Sequence, residues 1–338
     1  MARLRTTLAV PVLALGLMAI GTQGAFSENL VKWREGIVPF KGDAGFFYMA
    51  KEKGFFRKHG IDLEFVQIPG NVKLVRALLA GTVDAIEASP GAMLKAIPHG
   101  ADIQFIGSTL PGLTYAFYVS KDINSWADLK GKTIGASARG SVPDIFARVA
   151  LANHGVDPSS ITIYNAGGSS GTRIKAVSQG KIAAGAASTE FVPRAKKLNI
   201  KALTTATKEA PLYPRLVIAS TRGILKARGK ATVAKFLAGY IEGLQYAVAH
   251  RQETIDLTAK VTHKPAEKPT YAYLFDDVVA SKAVSPTAEI PRKRLEWLED
   301  YMVKNSLLKS KVDLDKHIDA SYREEALKML KQSSAAAK

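Results

Sequence analysis

Hydrophobic and polar positions along this chain switch between two periods. Ile61-Asp-Leu-Glu-Phe-Val-Gln-Ile68 carries the two-residue alternation of a strand. Residues 72–80 change to a helical period and stop at Gly81, a residue suited to the left-handed position past a helix end. Residues 82–88 predict the next strand. Ser89-Pro90 then opens a helix, with Ser as N-cap and Pro as first helical residue. Residues 102–107 form a further strand, and 31–38 a first one. This βαβαβ order predicts a parallel sheet covered by helices.

The same grammar returns downstream. Strands are predicted at 132–137, 161–165, 182–187 and 200–204, with helices at 142–153, 172–178 and 190–198. The recurrence reaches single residues: Ala77, Gly81, Ala85, Ala88 and Ser89 reappear as Ala176, Gly180, Ala184, Ala187 and Ser188, at a constant offset of 99. His59-Gly60-Ile61 echoes His154-Gly155-Val156. A repeated unit of this size predicts two similarly built lobes. The extended runs 115–120 and 216–220 are read as the strands that join them. The tail is helical at 231–249, 252–262, 271–280 and 291–305, too poor in strand signals for a sheet of its own. The expectation is therefore a hinged clamshell of two parallel-sheet lobes joined by two crossover strands. Lobe one comprises 28–115 plus 221–338, with the helical C-terminal part packed on it; lobe two comprises 116–220.

Residues 1–27 follow another plan. Arg3 and Arg5 precede the charge-free apolar run 8–20, and Ala25-Phe26-Ser27 supplies small residues at a cleavage site. This is the layout of a secretory signal cut near residues 24–27, too short and too interrupted by Pro11 and Gly16 for a membrane span. The mature protein is expected to be periplasmic. Cysteine is absent, which removes lipoprotein anchoring, thiol nucleophiles and cysteine-held metals. The formal charge is +17, but Lys and Arg are scattered in short groups such as Lys196-Lys197 and Arg292-Lys293-Arg294. A nucleic-acid face needs them clustered with aromatics, so the basic balance is read as a solvated surface and nucleic acid is not an expected partner.

Glu52-Lys53-Gly54-Phe55-Phe56, His59-Gly60-Ile61, Leu79-Ala-Gly81-Thr-Val-Asp84 and Trp126-Ala-Asp-Leu-Lys-Gly-Lys-Thr-Ile134 fall in order along the chain. Together they resemble the solute-binding proteins of ABC transporters of the nitrate, sulfonate and taurine type. The resemblance implies a type II periplasmic-binding-protein fold, an α/β class. It also implies a monomer that holds a small-molecule ligand between lobes and delivers it to an ABC permease in the inner membrane, with no cofactor.

In open α/β sheets, ligands sit beyond the carboxyl ends of strands, at helix N-termini. Gly70-Asn71, Ser89-Pro90-Gly91, Gly140-Ser141 and Gly168-Ser169-Ser170 are such places. Each is a candidate anion seat through free N–H groups and the helix dipole, or merely a cap of its own helix. Arg139 offers a fork to an oxyanion, although Asp144, three residues past Ser141, reads as the acidic end of a capping box and opposes an anion there. The resemblance puts a ligand-contacting loop at Phe40 and Lys41, and an acidic residue at Glu190, which would favour a ligand with an ammonium group.

No paired-histidine metal motif, nucleophile elbow or phosphate loop occurs, and the chain is read as a binding protein and not an enzyme. Aliphatic sulfonate, taurine and nitrate are the expected ligand classes. A thiamine-precursor pyrimidine, an aromatic carboxylate, or a periplasmic enzyme on the same fold stand as alternatives. A sensor that presents its ligand to a receptor is a third class.

Overall fold

The structure is a computed structural model that describes residues 30–167 and 169–336. The expected signal segment and Gly168 lie outside the described residues. From the N-terminus run β1 (Val31–Ile37), α1 (Ala44–Glu52), α2 (Phe55–Lys58), β2 (Ile61–Gln67), α3 (Asn71–Leu79), β3 (Ala85–Ala88), α4 (Pro90–Ala96) and β4 (Ile103–Gly107). There follow β5 (Tyr115–Ser120), β6 (Thr133–Ala136), α5 (Val142–Asn153), β7 (Thr162–Asn165), α6 (Ser170–Ser178), β8 (Ala184–Ser188), β9 (Ile200–Thr205), α7 (Ala206–Glu209) and β10 (Val217–Thr221). The tail consists of α8 (Arg222–Arg228), α9 (Lys230–Ala249), α10 (Arg251–Val261), α11 (Lys268–Ala280), α12 (Arg292–Lys304), α13 (Leu314–His317) and α14 (Ser321–Ala336).

Two five-stranded sheets result, ordered β2-β1-β3-β10-β4 and β7-β6-β8-β5-β9. Both are mixed, which corrects the expectation of parallel sheets. β10 runs antiparallel to β3 and β4, and β5 antiparallel to β8 and β9. The reason is connectivity. Strands fed by βαβ crossovers must run parallel, whereas these two enter directly from the other sheet. Residues 115–120 and 216–220 are thus inner strands and not free links. The chain passes between the sheets at 108–114 and 206–216, and Val217–Thr221 sits with the first sheet, contrary to the expected boundary. The two links are stitched together: Ser108 Oγ donates to the Leu216 carbonyl at 2.6 Å, and Leu216 N–H to Leu110 at 3.0 Å.

The 99-residue repeat is structural. α3 and α6 start and stop at equivalent positions, and Gly81 and Gly180 both end them with left-handed φ of 68° and 67°. The Asn71 side chain accepts from Ser89 N–H at 3.3 Å, and its counterpart Ser170 accepts from Ser188 N–H at 3.1 Å. The two histidines of the echo also play matching parts. His59 ends α2 against Glu242 at 2.6 Å, and His154 ends α5 against Glu209 at 3.0 Å. One helix differs from expectation: 190–198 holds a short 3₁₀ helix, Thr189–Arg194, because Pro193 has no N–H to continue an α-helix.

The tail packs on the first sheet. Trp33 of β1 stacks on Phe236 of α9 at 4.4 Å, and α9 in turn carries α1, α2 and α14. α11 reaches the other lobe, where Thr189 Oγ1 donates to Asp277 Oδ2 at 2.6 Å and Arg194 pairs with Glu267 at 2.8 Å. The lobes therefore meet at one flank of the cleft between them.

Candidate functional site

The loops after β1, β3 and β8 and the N-termini of α3 and α6 converge on two connected chambers between the lobes. The outer is lined by Phe40, Lys41, Ser169, Ser170, Glu190 and Tyr271, among others. The inner is lined by Asn71, Glu87, Ser89 and Val142, and both share Lys41, Asp43, Tyr115 and Arg215.

Two cations, Lys41 and Arg215, line the space, and a third, Arg173, lies buried behind its wall. Lys41 stands in the loop between β1 and α1, and among the described residues its ammonium has no hydrogen bond or ion pair. Its side chain keeps a solvent-facing surface, yet the walls of the cleft desolvate it and lower its pKa. Arg215 and Arg173 lower it further, while Tyr115 and Glu190 act the other way. Arg173, in the first turn of α6, is 1% exposed. It donates to the Ala186 carbonyl at 2.7 Å and to Gly167 O and Ser137 Oγ at 3.3 Å, and no carboxylate pairs with it among the described residues. Arg215 pairs with Asp43, and its Nη1 is buried without a partner. Burial lowers its pKa to about 10. Burial raises the Tyr115 phenol, but Lys41 and Arg173 outweigh that, so the net shift is downward. Lys41 in the lining and Arg173 behind it, beside the N-terminus of α6, give this part of the cleft a positive potential.

Glu190 opposes them. Its Oε2 is buried and unpartnered, and a Cβ at Gly42 would run into that oxygen, so the glycine lets the lobes approach. Burial raises its pKa to about 7; Glu267 adds to this, while Arg194, Lys264 and Lys41 draw it down. The carboxyl is thus protonated below about pH 7 and charged above, where it repels a neighbouring anion. Affinity for an anionic solute is expected to fall as pH rises through about 7, and to fall less in Glu190→Gln. Isothermal titration across pH checks this; equal pH profiles for both proteins would remove Glu190 from the site.

The structure thus brings Phe40, Lys41, Ser169, Ser170 and Glu190 around the outer chamber, and Asn71 and Ser89 around the inner. Ser169 also caps its own helix, accepting from Thr172 N–H at 3.1 Å. It leaves out Arg139, which is exposed, and Gly140 and Ser141, which line neither chamber; Val142, one residue on, does. Gly140 instead abuts Lys95 and Leu307. Asp144 accepts from Gly140 N–H at 2.6 Å, one residue before the predicted capping box. Pro90 and Gly91 are buried, and Gly91 faces Met302 and Leu298 of α12. Sequence reasoning missed Asp43, Glu87, Tyr115 and Arg215 in the lining, and Arg173 behind it. For Glu87 a signal existed, a carboxylate inside the otherwise apolar strand 85–88, since buried strands rarely hold charge without a use.

Among the described residues no group of three or more histidine, cysteine or acidic side chains could hold a metal, and no helix is long and apolar enough to cross a membrane.

Comparison with known proteins agrees with this architecture. The structure resembles the periplasmic aliphatic sulphonate binding protein SsuA from Escherichia coli, with a TM-score of 0.69 and 19% identity, over 85% of this chain and 92% of that one. It resembles the periplasmic nitrate-binding protein NrtA from Synechocystis PCC 6803, with a TM-score of 0.71 and 14% identity, over 89% of both chains. At such identities the likeness shows the fold, which is the α/β type II periplasmic binding protein fold with two mixed sheets. A curated relative, the putative binding protein BAB2_1146 of Brucella abortus (strain 2308), is 24% identical over 215 residues. That match covers 63% of this chain and 66% of the relative, just under two thirds of its length. The sequence also matches the family described as NMT1/THI5 like over residues 42–254, and the chain belongs to that family.

Proposed function

We propose that this chain is the periplasmic solute-binding component of an ABC import system, and that it holds a small anion between its lobes for a membrane permease. The observation that carries the reading is Lys41, which lines both chambers without a carboxylate partner among the described residues, with the buried Arg173 guanidinium behind the wall and acting electrostatically on Lys41 and Tyr115. Burying such charges is unfavourable unless an anion arrives to compensate them. The N-terminus of α6, where Ser170 and Gly171 line the outer chamber, adds a partial positive charge. The links at 108–114 and 206–216 supply a two-stranded hinge about which the lobes can open and close. Aliphatic sulfonates, taurine, nitrate and carboxylates all meet the charge requirement. Binding without catalysis is the reading that the relatives support: the curated relative is described as a putative binding protein, and a chain without cysteine has no thiol chemistry to offer.

A thermal-shift screen of the purified protein against such anions tests the reading. A solute at 100 times its dissociation constant adds about 2.7 kcal/mol of stability. At least one anion is expected to raise the melting temperature, and neutral analogues of the same shape are expected to raise it less. A panel in which no anion stabilises the protein contradicts the reading.

A further inference from the structure

The inner chamber is lined by Glu87, which is 2% exposed and whose side chain makes no hydrogen bond among the described residues; its Oε1 is buried and unpartnered. Glu35, two residues back on the neighbouring strand register and on the same face, is fully buried, with Tyr240 donating to one oxygen and the other left bare. The fold does not require these acids. By the 99-residue repeat, Glu35 corresponds to Ile134 and Glu87 to Ala186, both buried and apolar, in strands paired with the same register. The sister lobe builds the same corner from apolar residues, so the carboxyls are an addition to lobe one with a stability cost. Arg215 Nη1, also buried and unpartnered, belongs to the same chamber.

We propose that Glu87 is a specificity-determining contact of an inner subsite, where it takes an uncharged amide-type group of the solute, with N–H and C=O side by side. This rests on the reading of the cleft as a solute site and adds to it a second end of the solute, away from the anion seat. An ammonium fits poorly, because Lys41 and Arg215 share the chamber. A neutral carboxyl offers one O–H donor and one C=O acceptor, the complement of an amide edge. Burial, reinforced by the neighbouring Glu35, raises the Glu87 pKa well above the ordinary carboxyl range and keeps it in that neutral form. Arg215 Nη1 supplies a further donor toward the amide carbonyl.

The test uses matched probes on the full mature protein: succinamate and glutaramate, each against the methyl ketone in which a methyl group replaces the amide nitrogen (levulinate for succinamate). In wild type at least one amide is expected to bind about tenfold more tightly than its ketone, the size of one buried hydrogen bond. Glu87→Met should fold and melt at a higher temperature, since it removes an uncompensated buried acid, and should lose the preference. Glu87→Gln retains a donor and an acceptor and should keep it. Equal affinity for amide and ketone in wild type, undetectable binding of both included, overturns the proposal. So does a preference that survives in Glu87→Met. If simple anions still stabilise the protein in either case, the solute-binding reading stands while the Glu87 subsite falls.

Discussion

Lys41→Glu is expected to weaken binding of any anionic solute by about 100-fold or more, with the fold intact. Among the described residues the ammonium makes no hydrogen bond or ion pair, so neither is lost with it. Folding should change little, because a carboxylate at this position gains Arg173 and Arg215 as neighbours but also faces Glu190. The solute, by contrast, loses an attractive charge and meets a repulsive one in a desolvated cleft. A buried charged hydrogen bond there is worth about 2–5 kcal/mol by truncation. Lys41→Gln should fall between the two. Titration calorimetry with the best anion from a screen reads the affinity, and a melting curve reads the fold. Affinity within twofold of wild type in Lys41→Glu would take Lys41 out of the anion seat.

Gly243→Ala is expected to destabilise the protein by about 1–3 kcal/mol, and Gly243→Leu by more. Propensity alone predicts the opposite sign for alanine, since a glycine inside a helix costs about 1 kcal/mol relative to alanine. Geometry decides. Gly243 lies in the middle of α9 where that helix crosses α1, and a Cβ there would collide with the Ala50 side chain and stand 2.5 Å from Ala50 Cα and 2.7 Å from its nitrogen. Backbone cannot yield as a side-chain tip can, so the two helices must separate. α9 also carries Phe236 and Tyr240 of the lobe-one core, so separation loosens the whole packing. Denaturant unfolding checks the sign; an alanine variant as stable as wild type, or more so, contradicts the close helix contact.

Much of the fold was legible in the sequence because the repeat and the periodicities report the same thing. Helices 142–153 and 231–249 and strand 61–68 lie within a residue of α5, α9 and β2. The 99-residue offset, read from five residues, turned out to hold for helix bounds, glycine turns and a hydrogen bond. Strand direction was not legible. Tyr115–Ser120 and Val217–Thr221 look like any buried strand, and only the route of the chain between sheets fixes their antiparallel sense. The lining of the chambers was half legible. Loop and cap residues such as Lys41, Asn71 and Ser170 announce themselves by glycine, serine and asparagine at strand ends. Arg173 and Arg215 do not, because a basic residue in a helix or after a proline normally points to solvent; tertiary burial gives these two their meaning. Arg139 failed for the complementary reason. It has the right position before a helix, but the turn aims it outward.

The central claim is that solute charge is met between the lobes, at Lys41 and the start of α6. A crystal structure of the protein with its best-stabilising anion tests this most directly. The account predicts density for the anionic group within hydrogen-bond distance of Lys41 Nζ, touching Ser169 or Ser170 as well. An anion bound on one lobe alone, or anywhere outside the two chambers, would contradict it.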